Sequence, residues 1–259
     1  LQAASVVRNG GIGTLQAIHT TLYRGFGEDM TEENIGYFEA PIPEHLDYDM
    51  WLGPAPSAPY TPNRCEWTWR FMYAYGGGNL VDWGSHINDI AHWVGGLERT
   101  GPVTIEGEAQ FPGPGIYDTA IDWSVRCEYA SGMTLTCSSG EKCAVRFEGS
   151  DGWFEAGLYG MDASSQELLG FEPGPGDTIV RPGQPYDTRD FLDCVKTRRP
   201  PRTPVEAGHR TASLCHLCNL AIRLGRKLNW NPETERFVAD DEANRALSRP
   251  MRSPWRLDV

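Results

Sequence analysis

Alternation of apolar and polar residues dominates the middle of the chain. Between residues 102 and 157, five short runs ("VTIEGEAQF", "TAIDWSVRCEY", "MTLTCS", "CAVRFEG" and "GWFEAGL") switch face along their length, with turns such as "ASG" and "GSDG" between them. A period of two predicts strands, and connections this short predict antiparallel neighbours, because a parallel pair needs a long crossover. "TLQAIHTTLY" (14–23) alternates in the same way and adds an earlier strand.

Elsewhere the period lengthens to that of a helix. "PVEAGHRTASLCHLCNLAIRLGRKL" (204–228) places Leu214, Cys215, Cys218, Ala221, Ile222 and Gly225 on one face, the mark of a long amphipathic helix. "YDTRDFLDCVKTRRPP" predicts a shorter helix stopped by its prolines. "QAASVVRNG" has a helical rhythm that ends at Asn9-Gly10, a stop signal. Residues 24–66, with the proline cluster "LGPAPSAPYTPNR", predict an arm or long loop, and "PGPGDTIVRPGQP" a surface connection. Trp67 to Tyr75 is strongly aromatic and predicts an extended stretch or a helical turn against the core. The fold these elements predict is α+β: an open, mainly antiparallel sheet with helices packed on one face. We expect a single domain over 1–259, in which 1–10 is the end of an upstream helix and 229–259 a C-terminal arm.

Composition narrows the partners. The net charge is −12 and no Lys/Arg block stands out, which argues against nucleic acid or an anionic membrane. The apolar runs are too short to span a bilayer. Seven scattered cysteines fit reduced thiols and a cytoplasmic location better than a disulfide framework. "CHLC" (215–218) lacks the second pair that a structural zinc site needs, and both cysteines fall on the apolar helix face. No dinucleotide fingerprint is encoded: "GGIGTLQ" comes closest, but its last position is Gln16 and its order is helix before strand. The chain is therefore expected to bind no cofactor of this kind by itself.

The candidate chemistry lies in "GGGNLVDWGSHINDIAHW" (76–93). With Asn79 as N-cap, Asp82 falls at N3, the capping-box position. Trp83, Ile87, Ile90 and Val94 form the expected buried stripe, and Asp82, His86 and Asp89 stack at i, i+4, i+7 on the flank beside it. His92 points elsewhere, into the core or to the surface. Two readings fit the flank: a capped, solvated helix face, or an Asp and His one turn apart for general acid–base work.

The string "WLGPAPSAPYTP…WTWRFMYAYGGGNLVDWGSHINDIAHW", together with "FLDCVKTRRPP…VEAGHRTASLCHLCNLAIRLGRKLNW", resembles the C-terminal half of the Gfo/Idh/MocA (glucose–fructose oxidoreductase/inositol dehydrogenase) family. The similarity covers essentially the whole chain, and D-W-G-x-H-x-x-D is its most specific part. The resemblance implies an open antiparallel sheet that supplies the substrate site and the subunit interface, while a separate Rossmann domain binds NAD(P). It also implies that Asp82 and His86 are the acid–base residues, His86 taking the proton of a sugar-like substrate's hydroxyl and Asp82 orienting it. The Rossmann domain and the lysine of the family's E-K-P motif have no counterpart here, so hydride transfer by this chain alone is not expected. His209, Tyr75, Arg70 and Tyr73 are candidates to line a sugar-sized cleft.

An alternative class uses the same pocket without a dinucleotide. Asp82 and His86 at i, i+4 could supply two ligands to a divalent metal such as zinc, with His209, or His19 on the first strand, as the third. The metal's water would then attack an ester or phosphoester. A serine nucleophile is disfavoured because Ser85 does not sit in G-x-S-x-G, and Cys215 and Cys218 would make poor thiolates on an apolar stripe. His216 reads as an ordinary helix residue off that stripe. A homo-oligomer is expected through the sheet's open face, on the premise that this face is apolar and needs cover.

Overall fold

The computed structural model describes residues 1–26, 39–178 and 187–257. Residues 27–38 of the expected arm and 179–186 of the expected surface connection lie outside the described residues.

Nine strands form one sheet: β1 (Leu15–Tyr23), β2 (Thr104–Gln110), β3 (Asp122–Glu128), β4 (Thr134–Gly140), β5 (Ala144–Gly149), β6 (Trp153–Gly157), β7 (Gly160–Ala163), β8 (Leu228–Asn231) and β9 (Arg236–Phe237). Their spatial order is β7-β6-β5-β1-β4-β3-β2-β8-β9. The main helices are α1 (Gln2–Arg8), α2 (Gly84–Gly95, preceded by the single turn Asn79–Asp82), α3 (Asp187–Thr197) and α4 (Val205–Leu224). All the expected strands and helices are present, and the α+β class holds.

The order of the sheet departs from the expectation at one place. β4 and β5 are joined by a short turn yet are not neighbours, because β1 lies between them, parallel to β4 and antiparallel to β5. Every other pair is antiparallel. The arm expected from residue 229 onward begins inside the sheet instead: β8 pairs with β2 and carries β9 beside it. α4 is correspondingly shorter than expected and stops at Gly225 in the left-handed conformation (φ 62°), whose N–H bonds back to the Ala221 carbonyl at 3.0 Å.

The packed face of the sheet carries Ile18, Leu22, Ile105, Val125, Leu135, Val145, Phe147 and Phe154, all 0% exposed, under α1, α2 and α4. The opposite face is polar. Glu106, Glu108, Arg126, Thr136, His19, Arg146 and Glu148 alternate with the core residues, and His19 Nε2 lies 3.4 Å from Glu148 Oε2. The premise of an apolar open face is thus corrected, since β-strands buried on one side put their polar residues on the other. The same alternation sets His19 on the far side of the sheet from α2, so it cannot join Asp82 and His86 as a ligand.

Seven cysteines are free thiols, and Cys127, Cys137, Cys215 and Cys218 are fully buried in the core. Asn88, also buried, ties three elements together. Its side chain accepts from Thr20 Oγ1 at 2.8 Å and donates toward Cys215 Sγ and Cys137 Sγ at 3.4 and 3.8 Å. No helix among the described residues is long and apolar enough to cross a membrane.

Candidate functional site

The glycine run enters the site helix under tight steric limits. Gly78 has φ 67°, and a Cβ added there would lie 2.7 Å from Thr119 Oγ1. Its N–H donates to the Arg70 carbonyl at 2.9 Å, and its own carbonyl accepts from the Asp82 N–H at 2.9 Å. These bonds bring the 3₁₀ turn Trp67–Phe71 alongside the start of the helix. Asp82 accordingly meets Arg70, whose Nε lies 3.4 Å from Asp82 Oδ2. Arg70 is held in turn by the faces of Trp69 and Trp67, at 4.9 and 5.8 Å, and by the Trp67 carbonyl at 2.9 Å.

Three details differ from the pattern expected of this helix. Gly78, and not Asn79, is the N-cap; the Asn79 amide turns away and donates to the Arg24 carbonyl at 2.5 Å. The helix is interrupted at Trp83, where the Ser85 hydroxyl takes the Val81 carbonyl at 2.6 Å, the local competition that a serine offers a helix backbone. The buried stripe is Gly84, Ile87, Asn88, Ala91 and Val94, so Ile90 is 38% exposed. The stripe is rotated because Gly84 lets α4 approach: a Cβ there would lie 3.0 Å from Cys215 Sγ.

His86 stands exposed on the flank beside this stripe, edge-on to Trp83 with ring centroids 6.0 Å apart. Trp83 is itself braced by Tyr23 at 5.1 Å. Asp89, also exposed, accepts from Thr211 Oγ1 of α4 at 3.0 Å and fixes the two helices to each other. Among the described residues Asp82 shares no hydrogen bond with His86; its partner is Arg70. His92 is a core histidine, 1% exposed, with Nε2 2.9 Å from the Tyr129 hydroxyl. Burial lowers its pKa to about 4.

The remaining candidates part company. Tyr75 and His209, with Tyr73, line a cleft of about 700 Å³ between α4, the glycine run, the turn at Glu235 and the segment 246–249. Asp82, His86 and Arg70 do not line it, although Val81, the neighbour of Asp82, does. His209 Nε2 is 2.5 Å from Glu235 Oε1, which also receives Arg210 Nη1 at 3.1 Å. Tyr75 receives Arg64 Nη1 on its hydroxyl at 3.1 Å and packs against Trp51 of the proline-rich arm at 5.0 Å. Ser213, His216 and Arg249 also line the cleft and were not anticipated. The spacing of His209, Ser213 and His216 at i, i+4, i+7 on α4 is the signal that could have found two of them. No signal in the sequence brings Arg249 across from the tail.

Among the described residues no three His, Cys, Asp or Glu side chains converge as a metal site. The glycine loop between α1 and β1 does not fit a dinucleotide either: the order is helix, loop, strand, and a Cβ at Gly13 would lie 2.8 Å from the Asp151 carboxylate, where a pyrophosphate would be repelled.

Against known families, residues 6–257 match the model described as "Oxidoreductase family, C-terminal alpha/beta domain" of the Gfo/Idh/MocA group. The chain belongs to the Gfo/Idh/MocA oxidoreductase family. No curated protein matches it in sequence. Among solved structures of this family it is similar to aldose-aldose oxidoreductase from Caulobacter crescentus, complexed with glycerol, at 18% identity and TM-score 0.57, over 88% of this chain and 59% of that one. WlbA dehydrogenase from Bordetella pertussis, in complex with NADH and UDP-GlcNAcA, aligns at 12% identity and TM-score 0.56 over 88% and 59%. Levoglucosan dehydrogenase, in complex with NADH and L-sorbose, aligns at 13% identity and TM-score 0.54 over 88% and 61%. The chain thus spans about three fifths of each of these relatives. At these identities the Gfo/Idh/MocA relatives establish the fold.

Proposed function

We propose that this chain is the substrate-side, acid–base domain of a sugar-type oxidoreductase. His86 accepts the proton of a substrate hydroxyl, and Asp82, held by Arg70, lends negative charge one helical turn away. The observation that carries the reading is the placement of Asp82 and His86 together on the solvent-facing flank of a family helix. A histidine there is the ordinary group for proton transfer near neutral pH. Asp82 acts through the field at His86, not through a hydrogen bond. Of the expected substrate contacts, Arg70 stands beside Asp82, whereas Tyr75 and His209 line the separate cleft along α4. The solved relatives support the substrate class, because the structures hold glycerol, UDP-GlcNAcA and L-sorbose.

In this reading the chain supplies the substrate-side half of the reaction, and the dinucleotide is held by a separate Rossmann domain, as the family resemblance implies. NAD or NADP mixed with this chain and a range of sugars gives no reduced nicotinamide in this reading. Binding is a separate matter from turnover and is read directly by NMR of the six imidazoles during titration with aldoses and polyols. The His86 resonances shift on ligand addition, while those of buried His92 stay in place. Titration of every sugar tested to saturation without a response at His86 would remove the proposal.

A further inference from the structure

The cleft along α4 is built unlike the Asp82–His86 flank. Its apolar walls are aromatic and aliphatic, with Tyr73, Tyr75, Trp230, Leu217 and Leu220 among them, and its size falls within the range of roughly 300–1,000 Å³ usual for small-ligand sites. Charge inside it is unbalanced. Glu235, the acidic residue of the lining, is already engaged by His209 and Arg210. Arg249 has no carboxylate partner among the described residues and rests on the face of Tyr73, its guanidinium carbon 4.3 Å from the ring centroid. Arg223 also lies over the Tyr73 ring, 3.7 Å from the centroid, and is committed to Asp118. Stacking of this kind holds a guanidinium in place while leaving its N–H fork free in the plane.

Ser213 and His216 add polar groups one turn apart on the same wall, and neither has a hydrogen-bond partner among the described residues. His216 is exposed on the helix, yet partial desolvation by the cleft walls, and then the charge of Arg249, lower its pKa. A neutral imidazole beside a cation both donates and accepts, which suits a hydroxyl. Aromatic walls for a ring, hydroxyl-binding groups on one helix and an uncompensated guanidinium at the rim together specify a ligand. We infer that this cleft binds a monosaccharide-sized polyol carrying one anionic group, carboxylate or phosphate, with the anion on Arg249 and ring hydroxyls on His216 and Ser213.

The inference rests on the proposed sugar specificity for the nature of the ring, so its test reads binding and charge preference, without turnover. Calorimetric titration of the chain with glucuronate, glucose 6-phosphate and glucose distinguishes the two anion sources from the neutral ring. At least one of the two anionic sugars binds about tenfold or more tighter than glucose, the usual worth of one charged hydrogen bond. Arg249→Ala erases that preference, and Arg249→Lys restores part of it. Arg249 is exposed and outside the core, so circular dichroism of both variants matches the parent. Equal affinity for all three sugars, no binding of any, or a preference that survives Arg249→Ala overturns the inference. Loss of the charge preference while His86 still responds to polyols removes this inference alone. A silent His86 beside an intact preference removes the acid–base reading alone.

Discussion

His92 offers a quantitative check on the packing of the domain. It is 1% exposed, burial lowers its pKa from 6.5 to about 4, and Nδ1 has no partner among the described residues. The sign follows from which state takes up the proton first. The unfolded chain protonates this histidine near 6.5 and the folded one only near 4. Stability is therefore whole above the unfolded value and falls as the pH drops toward the folded one. The interval between those two values, at about 1.4 kcal/mol per unit, gives a ceiling of roughly 3 kcal/mol. Urea midpoints are to be measured across that interval for the parent and for His92→Gln, whose amide still reaches toward Tyr129. Carboxylates and the other histidines titrate alike in both proteins and cancel in the difference. The parent should lose stability relative to the variant by up to about 3 kcal/mol from pH 6.5 to 4. Parallel curves would refute the claim that an uncharged histidine is locked in this core.

Two further outcomes follow from the glycine run and the thiols. Gly78→Ala forces a left-handed residue against Thr119, a strain of about 1–2 kcal/mol before any clash. The thermal midpoint should fall by several degrees, and an unchanged midpoint would show that the turn adapts. Cys127, Cys137, Cys215 and Cys218 are fully buried, and burial raises the Cys137 thiol to about 12. A thiol reagent at neutral pH should leave these four unmodified until denaturant is added; fast labelling of the native protein would contradict the core described here.

Much of the fold is written in local periodicity, and what escaped the sequence is non-local. The alternation of "TLQAIHTTLY" identifies β1, but nothing within it says that the strand inserts between β4 and β5. That choice depends on register across distant residues, where a short β4–β5 turn argues for a simple hairpin. β7, β8 and β9 are four residues or fewer, too short to show a period. The rotated stripe of the site helix follows from a close approach at Gly84 that belongs to α4 as much as to the helix itself. The site divides along the same line. D-W-G-x-H marks Asp82 and His86 because both lie in one short run of sequence, on either side of the break at Trp83. The ion pair to Arg70 depends on a bend at the glycines, and the cleft on a tail that folds back to place Arg249 beside Tyr73.

The most direct test of the central claim is the rate of nicotinamide reduction by a protein in which this domain is joined to a dinucleotide-binding domain of its family. His86→Asn removes the proton acceptor and should lower kcat by about 10²–10⁴-fold with little change in substrate affinity, and Asp82→Asn by a smaller factor. A His86→Asn protein that turns over like the parent would contradict the assignment of acid–base work to this helix.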